Sequence, residues 1–169
     1  MTSAPDADAE FGRIVRTYGD ALSRLAWGYT DHAADHDDLL QDVLVALWRA
    51  LPSFRGESSE RTFVFRVAHN RGLSFRSRRR KLEPLPDVSA LVDPQPGPDV
   101  EFDRAQRRDR LVAAVRLLPE AQRQAVMLHL EGFLPREIAV LQGTTENNVA
   151  VRLTRARQAL RRLIDRDDG

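Results

Sequence analysis

The chain has 169 residues, a formal net charge of +1 and no cysteine, so disulfides and thiolate metal sites are excluded. A hydrophobic share of 42% is enough for a folded core, and no apolar run approaches the roughly 20 residues of a membrane span. Residues 1–9 lack the basic start and apolar stretch of a signal peptide. We therefore expect a disordered N-terminus over residues 1–9 and a cytoplasmic protein.

Charge is strongly segregated along the chain. Residues 31–42 contain five aspartates, whereas residues 61–81 contain eight basic residues and no acid. A basic density of this kind suits contact with phosphates.

Three helices are predicted in the first half of the chain. In residues 11–29 the apolar positions fall on one helical face, and they are Phe11, Ile14, Val15, Tyr18, Leu22, Leu25 and Ala26. A second apolar pattern follows the aspartates and ends at Pro52, and it consists of Leu40, Val43, Leu44, Leu47 and Leu51. From Thr62 a third helix is expected to bury Phe63, Val67 and Leu73, with its arginines on the other surface.

Residues 82–100 interrupt the helical pattern and hold five of the nine prolines, which predicts an extended linker. Beyond the linker, Leu111, Val115 and Leu118 indicate one helix, and Pro119 opens the next. No strand pattern of any length is present. The sequence therefore predicts an all-α protein with two small helical domains, residues 10–81 and residues 101–169.

Two short helical patterns near the C-terminus meet at Gly143. Pro135 suits a first helical position, Gly143 ends that helix, and Thr145 can cap the next one. The second helix has one apolar stripe, formed by Val149, Leu153, Ala156, Leu160 and Leu163. Its opposite face is basic, which is typical of the recognition helix of a helix-turn-helix, although an ordinary solvated surface gives a similar pattern.

Several motifs occur in the order and spacing of one known family. They are residues 37–43 (DDLLQDV) with 46–48 (ALW), residues 66–70 (RVAHN), residues 118–120 (LPE), residues 136–139 (REIA), and residues 148–149 (NV) through 155–157 (RAR). Together they resemble the extracytoplasmic-function (ECF) group of the sigma-70 family, the promoter-specificity subunits of bacterial RNA polymerase. The resemblance spans roughly residues 10–165, and it implies sigma region 2 before the linker and sigma region 4 after it.

The resemblance also implies partners and site residues. The partners are core RNA polymerase (its β′ clamp and β flap), promoter DNA and an anti-sigma protein of the kind that often holds family members, without catalysis, cofactor, metal or membrane insertion. Residues implied in core polymerase binding are Asp38, Leu39, Gln41, Asp42 and Trp48. Residues implied in minus-10 recognition and strand opening are Phe54, Phe63, Arg66, His69, Asn70, Arg71, Arg76, Arg78 and Arg79. Residues implied in binding of the minus-35 DNA are Glu146, Asn147, Asn148, Ala150, Val151, Arg152, Thr154, Arg155 and Arg157.

Two alternatives remain open from the residues alone. A metal-dependent enzyme is indicated by one cluster with two histidines four residues apart, which contains Asp31, His32, Asp35, His36 and Asp38. A free-standing helix-turn-helix regulator would explain the C-terminal half, but it leaves the acidic helix and the basic third helix without a role.

Overall fold

The structure, a computed structural model, describes residues 4–82 and 100–167. The N-terminal half (4–82) contains α1 (Ala4–Ala26), α2 (Ala33–Ala50), a short 3-10 helix at Leu51–Ser53, and α3 (Glu60–Leu82). The C-terminal half (100–167) contains α4 (Val100–Arg116), α5 (Glu120–Leu130), α6 (Pro135–Gln142) and α7 (Glu146–Asp167). The predicted all-α class is confirmed. The predicted linker lies outside the described residues, apart from its two end residues.

The start of α1 corrects one prediction. The helix begins at Ala4, whereas disorder was expected through residue 9. Pro5 lies in the first turn, where its missing N–H is not needed, and Asp6 places a negative charge near the helix N-terminus. The indole Nε1 of Trp48 donates a hydrogen bond to Asp8 at 3.3 Å, which ties the second turn of α1 to α2.

The orientation of α3 also differs from the prediction. Phe63 and Val67 are only partly buried, and the side chain of Leu73 is 40% exposed. The buried face consists instead of Val64, Phe65, Ala68, His69, Gly72 and Phe75. Because this face includes a histidine and a glycine, its apolar periodicity is weak, and the predicted face is rotated away from the true one.

A close contact between α3 and Tyr29 explains the glycine. A Cβ atom at Gly72 would lie 2.5 Å from two ring carbons of Tyr29, so only glycine allows the ring to approach the helix. The hydroxyl group of Tyr29 and Nδ1 of His69 share a hydrogen bond of 2.6 Å. Tyr29 is 1% exposed, so this ring and its two neighbours in α3 form one buried unit.

The two halves pack against each other around the turn that joins α5 to α6. The ring of Phe133 lies 4.8 Å from the ring of Phe65 in an edge arrangement, and Phe133 is 1% exposed. The guanidinium of Arg61 lies 3.8 Å from the centre of the Phe133 ring and donates a hydrogen bond to the Glu131 carbonyl. Arg24 in α1 donates two hydrogen bonds to the Glu131 carboxylate, at 2.7 and 3.0 Å.

A second group of contacts joins the halves through ion pairs. Arg123 in α5 is 2% exposed and donates to Asp31 at 3.0 Å. Burial would raise the pKa of Asp31, but hydrogen bonds from Arg123 and Arg76 hold it below its usual value. Glu120, at the start of α5, pairs with both Arg76 and Arg80 of α3. The halves are therefore joined by aromatic packing on one side and by charges on the other.

Candidate nucleic-acid interface

The helix-turn-helix has the local structure that its sequence predicts. Pro135 is the first residue of α6, and the Glu137 carboxylate accepts a hydrogen bond of 2.6 Å from the backbone N–H of Leu134. Gly143 has a φ of 62°, the left-handed conformation that ends a helix, and the N–H of Thr144 donates to the carbonyl of Ala139 at 3.0 Å. These contacts fix the direction in which the backbone enters α7.

The position of α7 is set by one cap and one buried stripe. The hydroxyl group of Thr145 accepts a hydrogen bond of 3.1 Å from the backbone N–H of Asn148, as predicted for an N-cap. Val149, Leu153 and Ala156 are buried against the rest of the C-terminal half. Because the stripe fixes the rotation of α7, it also decides which side chains face outward.

The outward face of α7 contains eight of the nine residues predicted to bind the minus-35 element. The exposed ones are Glu146, Asn147, Asn148, Ala150, Val151, Thr154, Arg155 and Arg157. Arg152 is half-buried and donates a hydrogen bond of 2.9 Å to Gln142. The amide of Asn148 donates to the hydroxyl of Thr144 at 3.1 Å, which orients this side chain at the start of the helix. Such a face is suited to contact base edges in a major groove.

The basic face of α3 has one open part. Arg66 and Asn70, one turn apart, are both exposed, and neither side chain forms an ion pair or side-chain hydrogen bond within the described residues. Beside them, the rings of Phe54 and Phe63 lie 4.6 Å apart and are half-buried. Exposed basic and amide groups next to partly exposed aromatic rings are typical of surfaces that bind single-stranded nucleic acid.

The other α3 arginines assigned to DNA by the resemblance are paired with acids. The carboxylate of Asp42 in α2 forms ion pairs with Arg71 at 3.5 Å and with Arg78 at 3.0 Å. Arg79 pairs with the partly buried side chain of Asp35. Arg76, as described above, pairs with Asp31 and Glu120. In this conformation each of these guanidinium groups forms an ion pair within the chain, which sequence reasoning did not anticipate.

His69 is not part of the exposed surface. It is 2% exposed, and burial lowers the pKa of His69 to about 4, so the ring is neutral at pH 7. Its hydrogen bond to Tyr29 directs the ring into the core. His69 was assigned to DNA contact through the family resemblance of residues 66–70, and its burial does not fit that role.

The face predicted to bind core polymerase is partly exposed. Asp38 and Gln41 are exposed, Asp42 is half-buried, and the indole of Trp48 is 51% exposed. Leu39 is 1% exposed and packs in the core, so it lies beneath this face and is not part of the exposed surface. A groove of about 470 Å³ lies between this face and the end of α3, and it is lined by Asp38, Gln41, Asp42, Val45, Phe75, Arg78, Arg79 and Leu82.

The histidine and aspartate cluster does not form a metal site. Within residues 4–82 and 100–167 no group of three or more acidic, histidine or cysteine side chains could hold a metal ion. The His36 ring stacks on Trp27 at 4.1 Å, and its Nε2 lies 2.7 Å from the carbonyl of Ser23.

Within residues 4–82 and 100–167 no helix has the length and apolar character needed to cross a membrane.

The fold and these surfaces define a helix-turn-helix protein with a second, arginine-rich helical unit. Residues 14–82 match the family described as Sigma-70 region 2, and residues 108–160 match the family described as Sigma-70, region 4. The two matches follow each other in the family's order and together cover well over half of the chain. The chain belongs to the sigma-70 family.

Named relatives and solved structures agree with this assignment. The chain is 29% identical over 160 residues to RNA polymerase sigma factor NccH of Alcaligenes xylosoxydans xylosoxydans, covering 91% of this chain and 86% of that protein. It is 27% identical to the ECF RNA polymerase sigma-E factor of Escherichia coli (strain K12), covering 89% and 84%. A structure of CnrH in complex with the cytosolic domain of CnrY matches with a TM-score of 0.65 and 26% identity, covering 95% of this chain and 90% of that one.

Proposed function

We propose that this chain binds core RNA polymerase and directs it to promoters with a minus-35 and a minus-10 element. The observation that supports the proposal is the outward face of α7, which exposes polar and basic side chains of the kind with which a recognition helix contacts base edges. The two family matches, each on its own set of helices, support the same function. Its place of action is the cytoplasm, where promoter DNA and polymerase meet.

Readout of the minus-35 element is assigned to the exposed face of α7. Asn147, Asn148 and Arg155 can donate hydrogen bonds to base edges in the major groove. Ala150 and Val151 bring apolar surface to the same groove, and Val151 is 38% exposed. We assign these two residues to contact with thymine methyl groups, which are the apolar feature of that groove.

Strand opening at the minus-10 element is assigned to the open part of α3. Arg66 and Asn70 would follow the backbone of the separated strand, and the paired rings of Phe54 and Phe63 would accept an unstacked base. Neither contact with the strand backbone nor capture of a base needs a chemical reaction on this chain. We therefore assign the chain a non-catalytic role as the specificity subunit of the polymerase.

Binding of core polymerase is assigned to the exposed side chains of α2. Asp38 and Gln41 present polar groups, and Trp48 adds a half-exposed aromatic ring on the same helix. Charge pairs at such a surface chiefly speed association and fix register. Because CnrH was solved with the cytosolic domain of CnrY, we include a protein of the anti-sigma kind among the partners of this chain.

Run-off transcription tests the proposal. Purified core polymerase is incubated with a pool of genomic promoter fragments, with and without this chain. We expect new transcripts whose start sites share two spaced sequence elements. Failure of the chain to bind core polymerase would overturn the proposal. Tight binding of the chain alone to a duplex site, without stimulation of polymerase, would favour a free-standing regulator instead.

Alanine substitutions of two arginines in α7 should weaken promoter binding in different ways. Arg155→Ala should reduce discrimination at one base pair of the minus-35 element by about 1–3 kcal/mol, because a bidentate base contact is lost. Arg157→Ala should weaken binding to all sequences alike and lower the salt slope by about one, because a phosphate contact is lost. Both side chains are exposed. Binding of the polymerase complex to single-base promoter variants measures both effects, and equal losses on every sequence from both variants would contradict the assignment.

A further inference from the structure

The end of α6 and the turn that follows it hold two side chains of the recognition helix. The amide nitrogen of Asn148 donates a hydrogen bond of 3.1 Å to the hydroxyl of Thr144. One turn further along α7, Nη1 of Arg152 donates a hydrogen bond of 2.9 Å to the side-chain oxygen of Gln142. Gln142 and Thr144 flank Gly143, and neither is among the residues that the resemblance assigns to DNA. One edge of α7 is therefore held in place from outside the helix.

The two holding residues are themselves fixed. The backbone N–H of Thr144 donates to the carbonyl of Ala139 at 3.0 Å, and a side chain branched at Cβ has few rotamers, so its hydroxyl is a stationary acceptor. Gln142 is half-buried, and its amide nitrogen is buried without a hydrogen-bond partner in the part of the chain that the structure describes. Because an unpaired buried amide costs free energy, its presence indicates a role for the side-chain oxygen that binds Arg152.

The contact with Thr144 leaves Asn148 with one defined hydrogen-bonding edge. A carboxamide has two N–H donors and a carbonyl acceptor, and Thr144 takes one of the donors. The second N–H and Oδ1 of this exposed side chain have no partner within residues 4–82 and 100–167. Together they match adenine, which presents N7 as an acceptor and the N6 amino group as a donor in the major groove.

Arg152 suits a different partner. It is half-buried beside the apolar stripe of α7, whereas Asn148 and Arg155 are exposed. A guanidinium at the edge of the recognition face suits the rim of a groove, where phosphates are the available partners. The bond to Gln142 uses one N–H of the guanidinium and leaves others for a phosphate oxygen.

From these contacts we infer that Gln142 and Thr144 are positioning residues for promoter binding. Thr144 presets Asn148 for an adenine of the minus-35 element, and Gln142 presets Arg152 for a phosphate of the same element. A side chain that is already ordered in the free protein loses less conformational entropy when it binds. The inference rests on the proposed function, because both side chains are held for a contact with DNA.

Substitutions of Thr144 test its contact with Asn148. The chain is bound to core polymerase, and the affinity of the complex is measured on promoters in which each base pair of the minus-35 element is changed in turn. Asn148→Ala should remove a preference for adenine at one position. Thr144→Val replaces the hydroxyl by a methyl group and should lower that same preference about three- to tenfold, because the amide is no longer ordered. Thr144→Ser keeps the hydroxyl and should keep the preference.

A double variant separates positioning from support of the fold. In the Asn148→Ala background, Thr144→Val should have no further effect on base preference, since its target is gone. Thr17→Val is the matched control, because it removes an exposed hydroxyl of α1 that donates to the carbonyl of Arg13 at 2.9 Å. It should leave promoter binding unchanged. An equal loss on every sequence from Thr144→Val, or an Asn148-dependent preference for a base other than adenine, would overturn this assignment.

Gln142→Leu tests the contact with Arg152. Leucine is similar in size and removes the buried unpaired amide nitrogen, so urea unfolding should show no loss of stability. Affinity for promoters should fall about three- to tenfold on all sequences alike, because the guanidinium is no longer ordered. In an Arg152→Ala background the substitution should cause no further fall. A changed base preference, or the same loss with and without the Arg152 side chain, would contradict the inference.

The wild-type complex distinguishes failure of the inference from failure of the proposed function. If the wild-type complex prefers particular minus-35 bases while Thr144→Val and Gln142→Leu bind as the wild type does, the inference alone is wrong. If the wild-type complex shows no such preference, the inference and the proposed function are both wrong.

Discussion

Gly72→Ala should lower the free energy of unfolding by about 1–3 kcal/mol, because overpacking of a filled core typically costs this much. The added Cβ would lie 2.5 Å from two carbons of the Tyr29 ring and 2.8 Å from a third. The ring cannot move aside easily, since it is 1% exposed and its hydroxyl is hydrogen-bonded to His69 at 2.6 Å. Urea unfolding followed by circular dichroism measures the loss.

Gly19→Ala is the matched control. Gly19 also lies inside a helix, α1, but a Cβ there would be 3.8 Å from the nearest side-chain atom, on Val15, which is an ordinary contact. This variant should gain about 0.5–1 kcal/mol, because alanine favours a helix over glycine. If the two variants were equally stable, the close approach of Tyr29 to α3 would not exist in solution.

Acidification should destabilise the protein by up to about 3 kcal/mol between pH 6.5 and pH 4 through His69 alone. Burial lowers the pKa of His69 to about 4 in the folded chain, whereas an unfolded histidine titrates near 6.5. In this window the unfolded state binds a proton that the folded state rejects, so stability is complete above pH 6.5 and falls as the pH falls. Below pH 4 this contribution is constant. Unfolding free energies at half-unit pH intervals measure the slope.

Two glutamine variants isolate the histidine. His69→Gln removes the titrating ring but keeps a polar side chain near Tyr29, so the slope between pH 6.5 and pH 4.5 should flatten. His129→Gln changes an exposed histidine and should leave the slope as it is. An unchanged slope in the His69 variant would show that another group causes the acid sensitivity.

Short-range signals allowed the helix-turn-helix to be predicted from the sequence. Pro135, Gly143 and Thr145 act on backbone groups within a few residues of themselves, so their roles follow from local chemistry. The apolar stripe of α7 is equally local, and it fixed the outward residues correctly. The family motifs in these segments are also local in the sequence, so they could be recognised without knowledge of the fold.

Long-range contacts could not be predicted in the same way. The polar and small residues of α3, His69 and Gly72, are buried because of Tyr29, which lies 40 residues from His69 in the sequence. Arg123 is buried because of Asp31, 92 residues away. Single-sequence patterns do not contain these pairings, so both the rotation of α3 and the interface between the halves were missed.

The pairing of α3 arginines with acids has a consequence for how ionic strength acts on this protein. Arg71 and Arg78 share Asp42, and Arg79 pairs with Asp35. A guanidinium that leaves a carboxylate for a phosphate gives a smaller net release of ions, because cations that gather around the freed carboxylate offset part of the counterions released from the DNA. The salt dependence of promoter binding should therefore reflect fewer charges than the eight basic residues of 61–81 suggest.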